Sequence, residues 1–284
     1  MPVWWVVATI LVAIACGFVG AIIWSRRRKA KPFLLPVDLW NSGLQPSEST
    51  DLFLPTQIEH IPESAKRYLL WSTPAGAPIP TRARFITSGR IRPIRGTNWA
   101  PLVAHEVIQV GTAYSIESYS GRSQDFTGYD LYSPGRAERR WIKASTKRRK
   151  VVNLEGGHYE EFARWRVASS RLLIPGGLVP GPQVRWTDGD EDGASFTVIV
   201  EGKRYHFHLM IAPDGRPYKL TSRRWSDFDS PDGKWQMLPY IVRFSGVYRK
   251  DGYTLPHQFT ASWGGDLTEE YAVVEMEIQD AEFQ

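Results

Sequence analysis

The sequence of 284 residues carries 35 basic and 30 acidic side chains, a net charge of +5, and a single cysteine. Five of the basic residues and none of the acids lie within residues 1–31, which leaves 30 charges of each sign in the remainder. A nucleic-acid-binding domain is basic in its own right, so a neutral remainder argues against nucleic acid. Cys16, inside an apolar run, leaves the rest of the chain without thiol catalysis or cysteine-ligated zinc.

Residues 3–24 form an uncharged run of 22. As a helix it would measure about 33 Å, enough for the roughly 30 Å core of a bilayer. Trp4, Trp5 and Trp24 stand near its ends, where indole rings favour the membrane interface. A cleaved signal peptide needs a basic start and a shorter apolar core, and only Met1 and Pro2 precede this run. Cys16 in "AIAC" lacks the large aliphatic residue three positions upstream that a lipoprotein site would have. The expected element is an uncleaved transmembrane anchor at residues 1–31. Its flank (Arg26, Arg27, Arg28, Lys29 and Lys31) follows the run, and positive flanks stay on the cytoplasmic side. On that rule the rest of the chain lies at the cytoplasmic face of the inner membrane, with phospholipid as a partner; an extracytoplasmic domain is the alternative.

Residues 32–57 mix proline, serine and acids and read as a linker. A short helix follows: Pro62 and Glu63 suit a first turn, and Ile58, Ile61, Ala65, Tyr68 and Leu69 recur at helical spacing. From Thr81 the period becomes two. "ARFITSGRIR", "APLVAHEVIQV", "AYSIESYS", "DLYSPG", "RRWIKAS" and "KVVNL" read as short strands. A helix over about 157–174 interrupts them, with Phe162, Trp165, Ser169, Leu172 and Leu173 on one face and a Pro-Gly-Gly stop. Strands resume with "QVRWTD", "ASFTVIVEG", "RYHFHLMI", "RPYKLTSRRW", "MLPYIVRFSGVYRK", "YTLPHQFTASW" and "YAVVEMEIQ". The Asp-Gly pairs at 214–215, 232–233 and 251–252 supply positive φ for tight turns, so neighbouring strands should be antiparallel. About a dozen strands with one inserted amphipathic helix point to a mainly β fold, a strongly curved antiparallel sheet wrapped around that helix.

Four motifs carry a resemblance: Arg67-Tyr68-Leu69 in the first helix, the Pro74, Gly76 and Pro78 turn, Gly89 with Arg92, and Trp99-Ala100-Pro101. With the late "GYTLPHQFTASW" they make residues 58–284 resemble a bacterial family of unknown function whose domains look like the LolA-like lipoprotein-carrier half-barrel. The resemblance implies a curved sheet around a helical plug with an apolar cavity, while fold alone does not give function. The family's inserted helix has a glutamate one turn after its arginine; here Ala168 stands one turn after Arg164.

Several groups could carry chemistry. Trp99, Phe162, Trp165, Leu172, Trp186 and Trp225 are the candidates to line such a cavity, among twelve tryptophans whose plainer role is core packing. Asp188, Asp190 and Asp192 before Gly193 match the first half of a calcium loop, but Ile199 stands where the bidentate glutamate belongs. A solvated acidic hairpin is the plainer reading. His206 and His208 share one face of a strand, too few ligands for a closed zinc site. "HEVIQ" at His105 has Gln109 in place of the second histidine of a zinc protease, and it lies in a strand. Residues 136–150 hold eight basic residues and one acid; of these Arg148, Arg149 and Lys150 are candidates for contact with lipid headgroups. No nucleophile elbow, phosphate loop or dinucleotide fingerprint is present, so nothing supports an enzyme. The expectation is a single-pass membrane protein whose β domain binds a lipid-like or other apolar ligand without a cofactor. A structural adaptor of a membrane complex is the second reading, and a metal-dependent enzyme the third.

Overall fold

The computed structural model describes residues 51–284, apart from 93, 94, 97, 111–113, 121–125, 145–148, 229, 231, 266 and 267. The expected anchor and its five basic residues lie outside that range. Among the described residues no helix is long and apolar enough to cross a membrane.

Among the described residues there are two α-helices, two 3-10 turns and fifteen strands. Helix α1 (Glu63–Ser72) is followed by β1 (Arg82–Ile91), β2 (Ala100–Gln109), β3 (Tyr114–Ser120), β4 (Phe126–Ser133), β5 (Arg136–Ala144) and β6 (Arg149–Glu155). Helix α2 (Gly157–Ser170) comes next, then β7 (Val184–Gly189), β8 (Gly193–Val200), β9 (Lys203–Ile211), β10 (Pro217–Ser226) and β11 (Gln236–Ser245). A short ribbon, β12 (Tyr248–Lys250) and β13 (Tyr253–Leu255), precedes β14 (Gln258–Gly265) and β15 (Thr268–Phe283). Thirteen strands join one antiparallel sheet in the order β6-β5-β4-β3-β2-β1-β15-β14-β11-β10-β9-β8-β7. The chain walks out to one edge, crosses on α2 to the other, walks back in, and lays its last strand beside β1.

Strands about 4.8 Å apart would make a flat sheet of this size nearly 60 Å wide. A helix of 14 residues is about 21 Å long. Nevertheless α2 touches β4, β5 and β6 in one wing and β8 and β10 in the other. The sheet therefore curls around it, as expected, and remains open at β6 and β7.

Enclosure changes what α2 buries. Tyr159, Ala163, Trp165, Val167 and Ala168 all lie below a tenth of their free exposure, so apolar contact runs around most of the helix and not along one stripe. The helix also ends sooner than its periodicity predicts: Arg171–Leu173 form a 3-10 turn that carries Leu172 and Leu173. Two runs read as single strands are each broken in two. Gly246, at φ 65°, separates β11 from β12, and Pro256, which has no N–H to donate, separates β13 from β14. Asp251 and Gly252, at φ 52° and 84°, close the β12–β13 hairpin as their sequence predicts.

Residues 51–57, the end of the expected linker, are part of the domain. Phe53 is fully buried, and its backbone pairs with Ala77 and Gly76 at 2.8 and 2.7 Å. The motifs behind the family resemblance seat α1 and the sheet centre. The Tyr68 hydroxyl donates to the Leu172 carbonyl (3.1 Å), Arg67 Nη2 to that of Glu191 (2.5 Å), and the Tyr253 hydroxyl to that of Pro78 (2.7 Å). Arg92 Nε donates to the Ala272 carbonyl at 2.6 Å, with its guanidinium 4.5 Å from the Trp99 ring centre and 4.2 Å from that of Tyr271.

Candidate functional site

The space between α2 and the inner face of the sheet is not completely filled. A cavity of about 190 Å³ adjoins one of about 120 Å³, and Glu106, Arg166, Arg224, Tyr240, Phe259 and Val274 line both. Ile91, Leu102, Phe162, Phe228, Trp263 and Met276 give the larger one its apolar wall. Leu172, Leu173, Val242, Phe244 and Ala261 do so for the smaller. Together they reach the lower end of the usual range for ligand cavities, about 300–1,000 Å³.

The alternation of two strands aims the charged groups inward. Leu102, Ala104, Glu106 and Ile108 are the buried phase of β2, so Glu106 occupies a core position at 6 % exposure. In β10 the inward phase is Leu220, Ser222, Arg224 and Ser226; Ser222 accepts a hydrogen bond from Trp165 Nε1 at 2.9 Å, and Arg224 is only 5 % exposed.

Three interior arginines differ in their partners. Arg139 grips Asp130 with two hydrogen bonds, Nε at 2.9 Å and Nη2 at 2.6 Å. Arg166 Nη2 lies 3.6 Å from Glu106 Oε1. Arg224 has neither: its Nε and Nη2 are buried without a hydrogen-bond partner, and among the described residues no carboxylate pairs with it. It is held instead among rings, its guanidinium carbon 3.6 Å from the centre of Phe162, 4.4 Å from Trp165 and 5.1 Å from Tyr240. Burial, with Arg166 and Arg139 nearby, pushes its pKa down to about 10, so it stays protonated at neutral pH. Burial also pushes the Glu106 carboxyl up, against the opposing pull of Arg166 and Ser170. At the junction of the two cavities the charged groups are therefore Arg166, Arg224 and Glu106, while Asp227 lines only the larger cavity.

The sequence-derived candidates distribute unevenly. Phe162 lines the larger cavity, and Trp165 and Leu172 the smaller. Trp225 faces an open outer groove of about 620 Å³ and donates to His158 Nδ1 at 3.1 Å. Trp186 lies away from the cavities, in a solid cluster with Phe196 (4.9 Å between ring centres), its indole N–H bonded to the Leu178 carbonyl. Trp99 also lies away, beneath Arg90 and Arg92. Arg148 lies outside the described residues, as do the side chains of Arg149 and Lys150.

Among the described residues no three His, Cys, Asp or Glu side chains converge on a metal position. His206 and His208 line the outer groove, where their Nδ1 atoms pair with Thr197 and Ser195 at 3.0 and 3.1 Å. Asp190 Oδ1 accepts the backbone N–H of Asp192 and of Gly193, both at 2.9 Å, so this carboxylate closes the β7–β8 turn. Glu106, Arg166 and Arg224 escape the sequence reading. Glu106 and Arg224 carry a signal in it, a charge in the apolar phase of an alternating strand.

Residues 51–274 match the family of unknown function DUF6544, and the chain belongs to that family. Comparison with curated proteins finds no match. Among solved structures the chain is similar to a LolA superfamily protein from Nitrosomonas europaea, at 13% identity and a TM-score of 0.41, over 78% of this chain and 92% of that one. A domain named for outer membrane lipoprotein sorting, from Vibrio parahaemolyticus, gives 12% identity and a TM-score of 0.40, over 72% and 85% of the two chains. A DUF1329 family protein from Desulfovibrio piger gives 7% and 0.40, over 72% and 86%.

Proposed function

We propose that this member of a family of unknown function is a membrane-anchored binding protein that holds a lipid-like ligand between α2 and the curved sheet, without catalysis. The observation that carries the proposal is the pair of adjoining interior cavities, walled by Phe162, Phe228, Trp263 and Leu172 in a domain otherwise packed with aromatic side chains. Protein interiors are close-packed, and voids larger than a water are few. A partly open, largely apolar space at the place where both wings and the helix meet is suited to an occupant. The uncharged run at residues 3–24 and the basic flank after it support tethering to a phospholipid bilayer. On the same charge rule the domain faces the cytoplasm.

The test is mass spectrometry of the full chain purified in detergent and then exchanged into lipid nanodiscs. The wild type should retain a lipid-like compound in near-stoichiometric amount. Ala104, buried on the cavity wall, is the position to block: Ala104→Phe should be folded and empty. Equal amounts bound to both proteins, or none to the wild type, would overturn the reading.

A further inference from the structure

We infer that the ligand is an anionic amphiphile, and that its carboxylate or phosphate oxygens pair with the guanidinium of Arg224 where the two cavities meet. The inference rests on the binding function proposed above and adds the class of ligand.

Arg224 is the reason. A buried charge is expensive unless it is paired, and the two other arginines that line the larger cavity face carboxylates: Arg139 with Asp130, Arg166 with Glu106. Arg224 lines both cavities, is walled by Phe162, Trp165 and Tyr240, and has its Nε and Nη2 buried without a hydrogen-bond partner. The planar fork of a guanidinium matches the two oxygens of a carboxylate or a phosphate. Arg166 lines the same junction, so an oxyanion there sees two cations and one carboxyl. That carboxyl, Glu106, is held toward its neutral form by burial, which lowers its repulsion of an anion. The apolar chain then runs along Phe228, Trp263, Ile91 and Met276. The modest volume favours a short or partly inserted chain over a bulky ligand.

The experiment is calorimetric titration of the full chain in phosphatidylcholine nanodiscs with octanoate, octyl phosphate, octanol and octyltrimethylammonium, with empty nanodiscs as the blank. One charge-assisted pairing should make the anions bind about tenfold or more tighter than octanol, and the cation should not bind. In Arg224→Met the anions should fall to within about threefold of octanol, whose own binding stays put. Octanoate against octyl phosphate then separates a fatty-acid source from a phospholipid one. Octanol binding as tightly as the anions in the wild type, a comparison that needs no variant, would overturn the charge assignment and leave the binding function standing. An anion preference that survives in a folded Arg224→Met would overturn it too. If none of the four binds, the binding function itself fails.

Discussion

Arg224→Met in the ligand-free protein should raise stability, an unusual outcome for deleting a buried arginine. Burial lowers its guanidinium pKa from the usual arginine range to about 10; at 1.36 kcal/mol per pKa unit this corresponds to a penalty of about 3 kcal/mol for keeping the charge inside. Contacts with three rings return part of it, up to about 2 kcal/mol for a desolvated cation over an aromatic face. Methionine has nearly the same length, keeps the stem against Phe162 and Trp165, and adds sulfur–ring contact. The net gain should be about 2 kcal/mol, which for a domain of this size is a rise in Tm of about 4–8 °C. Thermal unfolding of delipidated protein, followed by tryptophan fluorescence, reads it directly. Arg139→Met is the contrasting case: it abandons Asp130, buried to 6 %, and should cost about 3–5 kcal/mol. If Arg224→Met lowers Tm as Arg139→Met does, the guanidinium has a structural partner, and the idea of a charge kept waiting for a ligand is wrong.

Glu106→Gln should flatten the pH dependence of stability. The folded carboxyl is raised above its ordinary value of 4.5, so the folded state binds the proton more tightly and stability declines as pH rises from that value through the raised one; Tm of wild type and variant should diverge across this range. Arg164→Met should destabilise by about 2–4 kcal/mol, because Arg164 ties α2 to Tyr132 of β4 at 3.0 Å and to Glu201 of the β8–β9 turn at 2.9 Å; urea unfolding measures the loss. Gly89→Ala should cost about 1–3 kcal/mol, since a Cβ there would meet the Glu275 carbonyl of β15; an unchanged Tm would mean the two strands part more easily than their register implies. A reporter fused after Gln284 should be active in the cytoplasm, and activity only on the outer side would refute the orientation drawn from the basic flank.

The fold was largely legible because β alternation and Asp-Gly turns are local signals. Strand positions, antiparallel pairing and the single enclosing sheet all follow from them. The breaks at Gly246 and Pro256 lay inside runs whose hydrophobicity continued across them, so period alone did not reveal them. The site was half legible. Phe162, Trp165 and Leu172 are apolar residues on a helix that must be enclosed, and enclosure put them beside the cavities. Trp186 and Trp99 have the same chemistry, but depth and neighbours separate them, and neither is written in local sequence. Glu106 and Arg224 were overlooked because a charge in a strand reads as solvent-facing until its phase is compared with Leu102 and Ala104, or with Leu220. Their meeting with Arg166 depends on a crossover that joins strands far apart in the chain.

The position of β15 has a consequence for how the protein comes into being. Because β15 is a central strand, with Ala83 paired to Phe283, neither wing can dock on the other until residues 268–283 have been made. Nonlocal pairing of this kind slows folding, and it leaves strand edges open in the meantime. The domain is thus committed to one concerted closure, and loss of β15 would sever the sheet at its middle instead of trimming an edge.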